Sequence, residues 1–109
     1  MTNHDRELIV LAGRAAGKDI FYDDFHDGAP CYYAEDIDCN IMWNPLEDDG
    51  DAFRLSVKLG LAVTCTLSAK TSWAGIHCYD FAEDHGDDPL AATRRAIVRA
   101  AAEIGRTKP

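Results

Sequence analysis

Carboxylates, histidines and cysteines are the side chains here that could do chemistry, and spacing decides whether any of them form a site. Asp36, Asp38, Asn40, Asn44 and Glu47 fall at the first, third, fifth, ninth and twelfth positions of a calcium-binding loop. The sixth position holds Ile41 where such a loop turns on glycine, Pro45 interrupts the exit to a second helix, and no helical pattern precedes Asp36. These residues read as surface acids. The GRAAGK run at 13–18 imitates a phosphate loop, but it is one residue short between its glycines. Asp19 follows the lysine where Ser or Thr is needed, and the run closes a helix instead of opening one. His77 and Cys78 are neighbours on an expected strand, so their side chains point to opposite faces and cannot share an ion. His4, His26 and His85 sit in polar, loop-like or terminal contexts. Ser56, Ser68 and Ser72 lie in no nucleophile-elbow pattern, and Cys65 belongs to the apolar face of its expected strand. Cys31, Cys39, Cys65 and Cys78 contain no CxxC pair and read as reduced, half-buried residues. The expectation is no catalytic residue, no metal and no cofactor.

The binding residues expected instead are Trp43, Asn44, Asp48, Asp49 and Asp51. Asn44-Pro45 sets a turn, and Glu47, Asp48, Asp49 and Asp51 crowd the start of a helix, where free N–H groups and the positive dipole end favour acids. Trp43 stands directly before that turn. Its plain reading is a hydrophobic staple packed against the helix. The functional reading makes Trp43, Asn44 and the Asp48–Asp51 cap the rim of a binding groove.

The elements that must position these residues follow from hydrophobic period. A first helix is expected over 4–16, capped by Thr2 or Asn3, with Leu8, Leu11, Ala12 and Ala15 as its stripe and Gly17 as its end. Residues 18–30 give a short strand and a loop. Two strand-like pieces, 31–33 and 39–42, flank the acidic turn Glu35-Asp36-Ile37-Asp38. The central helix buries Ala52, Leu55 and Leu59, with Phe53 and Val57 broadening the stripe and Gly60 as a left-handed cap. Strands are expected over 61–68, with Leu61, Val63, Cys65 and Leu67 on one face, and over 73–81, followed by an acidic loop to Asp88. In the last helix Asp88 caps, Pro89 takes the first position, and Leu90, Ile97, Ala101 and Ile104 mark the buried stripe. Arg99 and Glu103 stand at pairing distance and Gly105 stops the helix.

At 109 residues this is one domain (1–109) able to bury a core without staples. No apolar run approaches a membrane span, and MTNHDRE lacks the basic and apolar regions of a signal peptide, so the expectation is the cytoplasm. The net charge of −8 is unevenly placed. Residues 19–51 hold many acids and no Lys or Arg, while Arg94, Arg95, Arg99, Arg106 and Lys108 face only Glu103 near the C-terminus. Duplex binding is disfavoured because phosphate would be repelled. The acidic block reads as a solvated face; the sharper alternative is a surface that attracts a basic partner or imitates nucleic acid.

Two stretches, WNPLEDDGDAFRLSVKLGL at 43–61 and DPLAATRRAIVRAAAEIGR at 88–106, resemble a group of uncharacterised phage and prophage proteins, the alpha-beta-alpha sandwich domain of the NinX-like group. The resemblance implies a sheet covered by helices on both faces and a phage or prophage origin in a bacterial host cell. It implies no activity and carries over no site residue. The sequence therefore predicts an α+β fold with three helices and an antiparallel sheet covered by helices on both faces, in agreement with the apolar residues on both faces of the strand expected over 73–81. The function it predicts is a non-enzymatic accessory protein that binds a host or phage protein. The alternatives are a small-molecule or nucleotide-binding domain using the Trp43–Asp51 edge, and an acidic nucleic-acid mimic.

Overall fold

The computed structural model describes residues 1–76 and 80–108. The fold is α+β, with three α-helices and antiparallel sheet, as the sequence predicts. The sheet comes as two separate three-stranded pieces. The first is ordered β1 (Phe21–Asp23), β2 (Ala29–Ala34), β3 (Cys39–Met42), and the second β4 (Ala62–Thr66), β5 (Thr71–Gly75), β6 (Phe81–Asp84). Both are simple meanders, because each strand pairs with the next in sequence. The expected strand over 73–81 is divided: β5 ends at Gly75 and β6 begins at Phe81, so Glu83 and Asp84 belong to a strand and not to a loop.

Helices α1 (Asn3–Ala15) and α3 (Pro89–Arg106) form the centre. Thr2 caps α1 by accepting the Asp5 N–H, and Asp88 caps α3 by accepting the Ala91 N–H, with Pro89 in the first turn. The two helices run parallel. Asp5 meets Arg95 near their starts at 2.9 Å, and Lys108 Nζ donates to the Ala15 carbonyl at 3.1 Å near their ends. Both helices bury small residues, Ala12 and Ala15 on α1 and Ala100, Ala101 and Ala102 on α3. Gly105 is not a helix stop. The helix continues through it, and a Cβ there would lie 1.8 Å from the Leu11 carbonyl oxygen. The glycine permits backbone-to-backbone approach of α3 onto α1.

The first sheet is tied to α1 through Tyr22, whose hydroxyl donates to the Arg6 carbonyl at 2.9 Å while the Arg6 guanidinium lies 4.1 Å from its ring. The second lies under α3, where Arg99 donates to the Ala82 carbonyl and pairs with Glu83. That pair replaces the expected Arg99–Glu103 contact; Glu103 instead meets Arg106 at 3.5 Å. Helix α2 (Asp49–Leu59) spans from the first sheet to α3 and ends on Gly60 at φ 66°, the left-handed cap the sequence indicates. Its buried side is narrow, with Ala52, Leu55 and Ser56. Phe53 and Val57, expected to widen that side, face outward, as does Leu90 of α3.

An alanine at an ordinary helical glycine site stabilises by about 1 kcal/mol. Gly105→Ala should instead destabilise by about 3 kcal/mol, because the added methyl can be housed only by separating the helices. Urea unfolding of the variant gives the sign directly, and an unchanged or raised midpoint would refute the close approach.

Candidate functional site

The five expected binding residues do come together, but mainly to build the start of α2. Trp43 is 5% exposed and joins the core with Leu8, Leu11, Ala52 and Leu55. Asn44 makes the turn: its side-chain oxygen accepts the Leu46 N–H at 3.2 Å, and its carbonyl accepts from both Glu47 and Asp48. Asp48 is the N-cap, accepting the Asp51 N–H at 2.8 Å. Asp51 reaches back with Oδ2 to the Asn44 N–H at 3.0 Å, while Oδ1 accepts from Arg54 at 2.8 Å. Asp51 thus reaches past the N-cap to the turn residue Asn44, whereas in a capping box it would return to the N–H of Asp48, which is already given to the Asn44 carbonyl. Asp49 pairs with Arg94 of α3 at 2.7 Å, and Arg94 Nε also donates to the Leu46 carbonyl at 2.8 Å. Of the five, only Asp48 and Asp49 keep largely exposed side chains.

The apolar side chains on the outer side of α2 form a separate feature that the sequence reading did not separate from the core. A groove of about 690 Å³ runs between α2, α3 and β4. Phe53 and Val57 line one wall, Leu90 and Ile97 the other, and Leu61 and Val63 the floor, with the Asp49–Arg94 pair on the rim. Phe53, Val57 and Leu90 are 67%, 64% and 61% exposed. The groove exists because β4 is an edge strand and α3 lies mainly over β5 and β6. The face of β4 that the alternation marked as buried, Val63, Cys65 and Leu67, is therefore left open. The sequence signal was present in the i, i+4 apolar pair Phe53–Val57, adjacent to the stripe yet outside its Ala52–Leu55–Leu59 line.

A buried polar chain lies beside this groove and joins strand to helix. Thr93 Oγ1 has one hydrogen and donates it to the Pro89 carbonyl at 2.8 Å. In its 2.6 Å contact with Thr93, Ser72 must therefore be the donor, and His85 Nε2 must carry the hydrogen in the 2.9 Å contact with Ser72. Cys65 Sγ stands 3.7 Å from that same Nε2 and so meets an N–H, not a lone pair. His85 is not placed to take a proton from Cys65, and Ser72 is wholly enclosed. The arrangement pins the start of α3 to β5. His85 is thus buried, not the loop-surface residue its sequence context indicates.

Among the described residues no group of His, Cys, Asp and Glu could hold a metal ion. No helix among them is long and apolar enough to cross a membrane. Of the cysteines, Cys31 is buried, and burial together with nearby Asp23 pushes its thiol pKa up. Cys39 and Cys65 are exposed instead of half-buried. The reading of His77 against Cys78 lies outside the described residues.

Two substitutions separate architecture from contact surface. Asp51→Ala removes acceptors from Asn44 N–H and Arg54 and should cost about 1.5–3 kcal/mol. Asp49→Ala breaks a pair with one exposed partner and should cost about 0.5 kcal/mol. Chemical denaturation of both variants checks the order; equal losses would contradict it. Ser72→Ala should cost about 1–3 kcal/mol, since it leaves His85 and Thr93 without their buried partner. A melting temperature equal to that of the parent would count against the assigned hydrogen positions.

No protein-family model, curated protein or solved structure matches this chain.

Proposed function

We propose that the protein is a non-enzymatic protein-binding module, acting as an accessory of a phage or prophage in the bacterial cytoplasm, and that its contact surface is the groove between α2, α3 and β4. The observation that carries the reading is the contiguous exposure of Phe53, Val57, Val63 and Leu90 around one hollow. Scattered exposed apolar side chains are ordinary, but a contiguous apolar patch with a polar rim marks an interaction surface. The phage setting rests on the likeness carried by residues 43–61 and 88–106.

The occupant is an amphipathic helix of another protein, with basic residues beside its apolar stripe. Groove shape supports a helix: α2 forms one wall along its whole length, about 16 Å, enough for two to three turns of a partner. Charge supports the basic flank. The Asp49–Arg94 pair on the rim is neutral by itself, Glu47 and Asp48 stand beside it, and Asp87 and Asp88 precede Leu90. A net charge of −8 steers such a partner inward.

The test pairs affinity capture from bacterial lysate with a groove variant, Phe53→Gln/Val57→Gln/Leu90→Gln. All three positions are exposed, so the variant should melt within a few degrees of the parent. The expected result is a stoichiometric partner that the variant loses. A synthetic helix from that partner, apolar on one face and rich in Lys or Arg beside it, should bind the parent more weakly as salt is raised. A partner retained by the variant, or one that docks through an acidic or strand-forming segment, would overturn the reading.

A further inference from the structure

Helix α2 has a second outward side, opposite the groove. Asp51, Arg54 and Lys58 repeat at helical spacing on it and, with the buried Leu55 at their base, border a cleft of about 330 Å³, whose far side is Lys18, Tyr32, Ile41, Met42 and Trp43. We infer that this cleft binds a mononucleotide, its phosphate held by Lys18, Lys58 and Arg54 and its base set over Met42 and Tyr32. This deepens no part of the groove reading and uses the other side of the helix.

The argument starts from charge. Carboxylates outnumber Lys and Arg by 19 to 11, yet Lys18 and Lys58 have no carboxylate partner among the described residues. The two border the same cleft, and both border the adjoining hollow as well, so they face one space. Lys18 is held there by Tyr32, whose ring centroid lies 4.0 Å from its Nζ. The one acid in the cleft, Asp51, is already engaged by Arg54 and the Asn44 N–H, and the guanidinium of Arg54 keeps further donors free. Asp19 and Glu35 share the adjoining hollow with both lysines but do not border the cleft itself. The cleft proper is lined by the cations Lys18, Arg54 and Lys58 against the single carboxylate of Asp51. A phosphate dianion in the cleft would meet cations that have no carboxylate to give up at Lys18 and Lys58.

The remaining walls select the body of the ligand. Ile41, Met42, Trp43 and Leu55 are apolar, and the exposed Met42 thioether offers a polarisable surface for a planar ring. The volume lies at the low end of the range for small-molecule sites, about 300–1,000 Å³, and so suits a single nucleotide and not a dinucleotide.

Isothermal titration with adenosine 5′-monophosphate, adenosine and inorganic phosphate tests the assignment on the intact protein. The monophosphate should bind with a dissociation constant below about 1 mM, at least about tenfold tighter than either fragment. Lys18→Gln/Lys58→Gln should weaken it by about tenfold or more, whereas Lys70→Gln, remote from the cleft, should leave it unchanged. Lys58 is exposed and Lys18 half-buried, and the double variant gives up only the Lys18–Tyr32 ring contact, so melting within a few degrees of the parent is expected and separates binding from folding. The inference is overturned by the absence of binding, by binding that the double variant keeps, or by inorganic phosphate binding as tightly as the nucleotide. Loss of partner capture in the groove variant would leave all of these outcomes untouched, since none of its three positions borders the cleft.

Discussion

The contact on which the rest of the molecule depends is the approach of α3 to α1 at Gly105. Small residues line both helices, and at Gly105 the backbone of one comes up against the Leu11 carbonyl of the other with no room for a methyl group. Parallel helices gain nothing from their macrodipoles, which align like ends together. The pair is therefore held by packing and by ties at its two ends. Arg95 reaches Asp5 near the start of α1, and the Lys108 ammonium caps the negative end of α1 at the Ala15 carbonyl. With α3 committed on one side to α1 and on another to β5 and β6, only its first turns remain free to meet α2. The groove follows from that geometry.

Charges segregated along the chain are mixed by folding. The basic run of α3 meets acids from every part of the sequence: Arg94 takes Asp49, Arg95 takes Asp5, and Arg99 takes Glu83. Several acids of the 19–51 block serve the fold as well. Asp23 caps the 3-10 turn Asp24–His26 by accepting the Phe25 N–H, Asp48 caps α2, and Asp51 anchors Asn44. The acidic surface available to a partner is correspondingly smaller than the linear run of carboxylates implies, which weakens a nucleic-acid mimic relative to a surface that attracts a basic segment.

What the sequence made legible was what local rules control. The cap Asp88, the choice of Thr2 or Asn3 for the first helix, the acidic start of α2, the left-handed Gly60, the strand pieces on either side of the acidic turn, and the closing role of the GRAAGK run all follow from residue type and position. The failures share a cause: they depend on which faces meet across the chain. Gly105 looks like a stop because glycine after a helical stripe usually is one; only the presence of α1 shows it as a contact. Leu90, Phe53, Val57 and Val63 carry the period of buried residues, and nothing in a period says that α3 leaves the β4 edge uncovered. Arg99 has an acid one turn onward, yet the strand carrying Glu83 lies closer. His85 looks solvated until Ser72 and Thr93, distant in sequence, close around it. For the candidate site, the turn and cap at Trp43–Asp51 were legible as structure and marked one edge of the cleft beside them, whereas the groove between α2, α3 and β4 was not.

The exposed face of α2 is informative because the fold does not need it. At eleven residues the helix is too short to persist by itself, and it is held by the Asp48 cap, by the tie from Asp51 to Asn44, by Gly60 and by a narrow buried side. Its acidic start is therefore explained by stability alone. Phe53 and Val57 are not: both stand in water, and both have lower helix propensity than the Glu, Gln or Lys that would serve an exposed position. Solvation and propensity together favour polar residues at these sites, yet the chain places apolar ones there, facing Leu90 and Val63 across a single hollow. Such a choice opposes the stability of the isolated molecule and makes physical sense when a second surface removes those side chains from water.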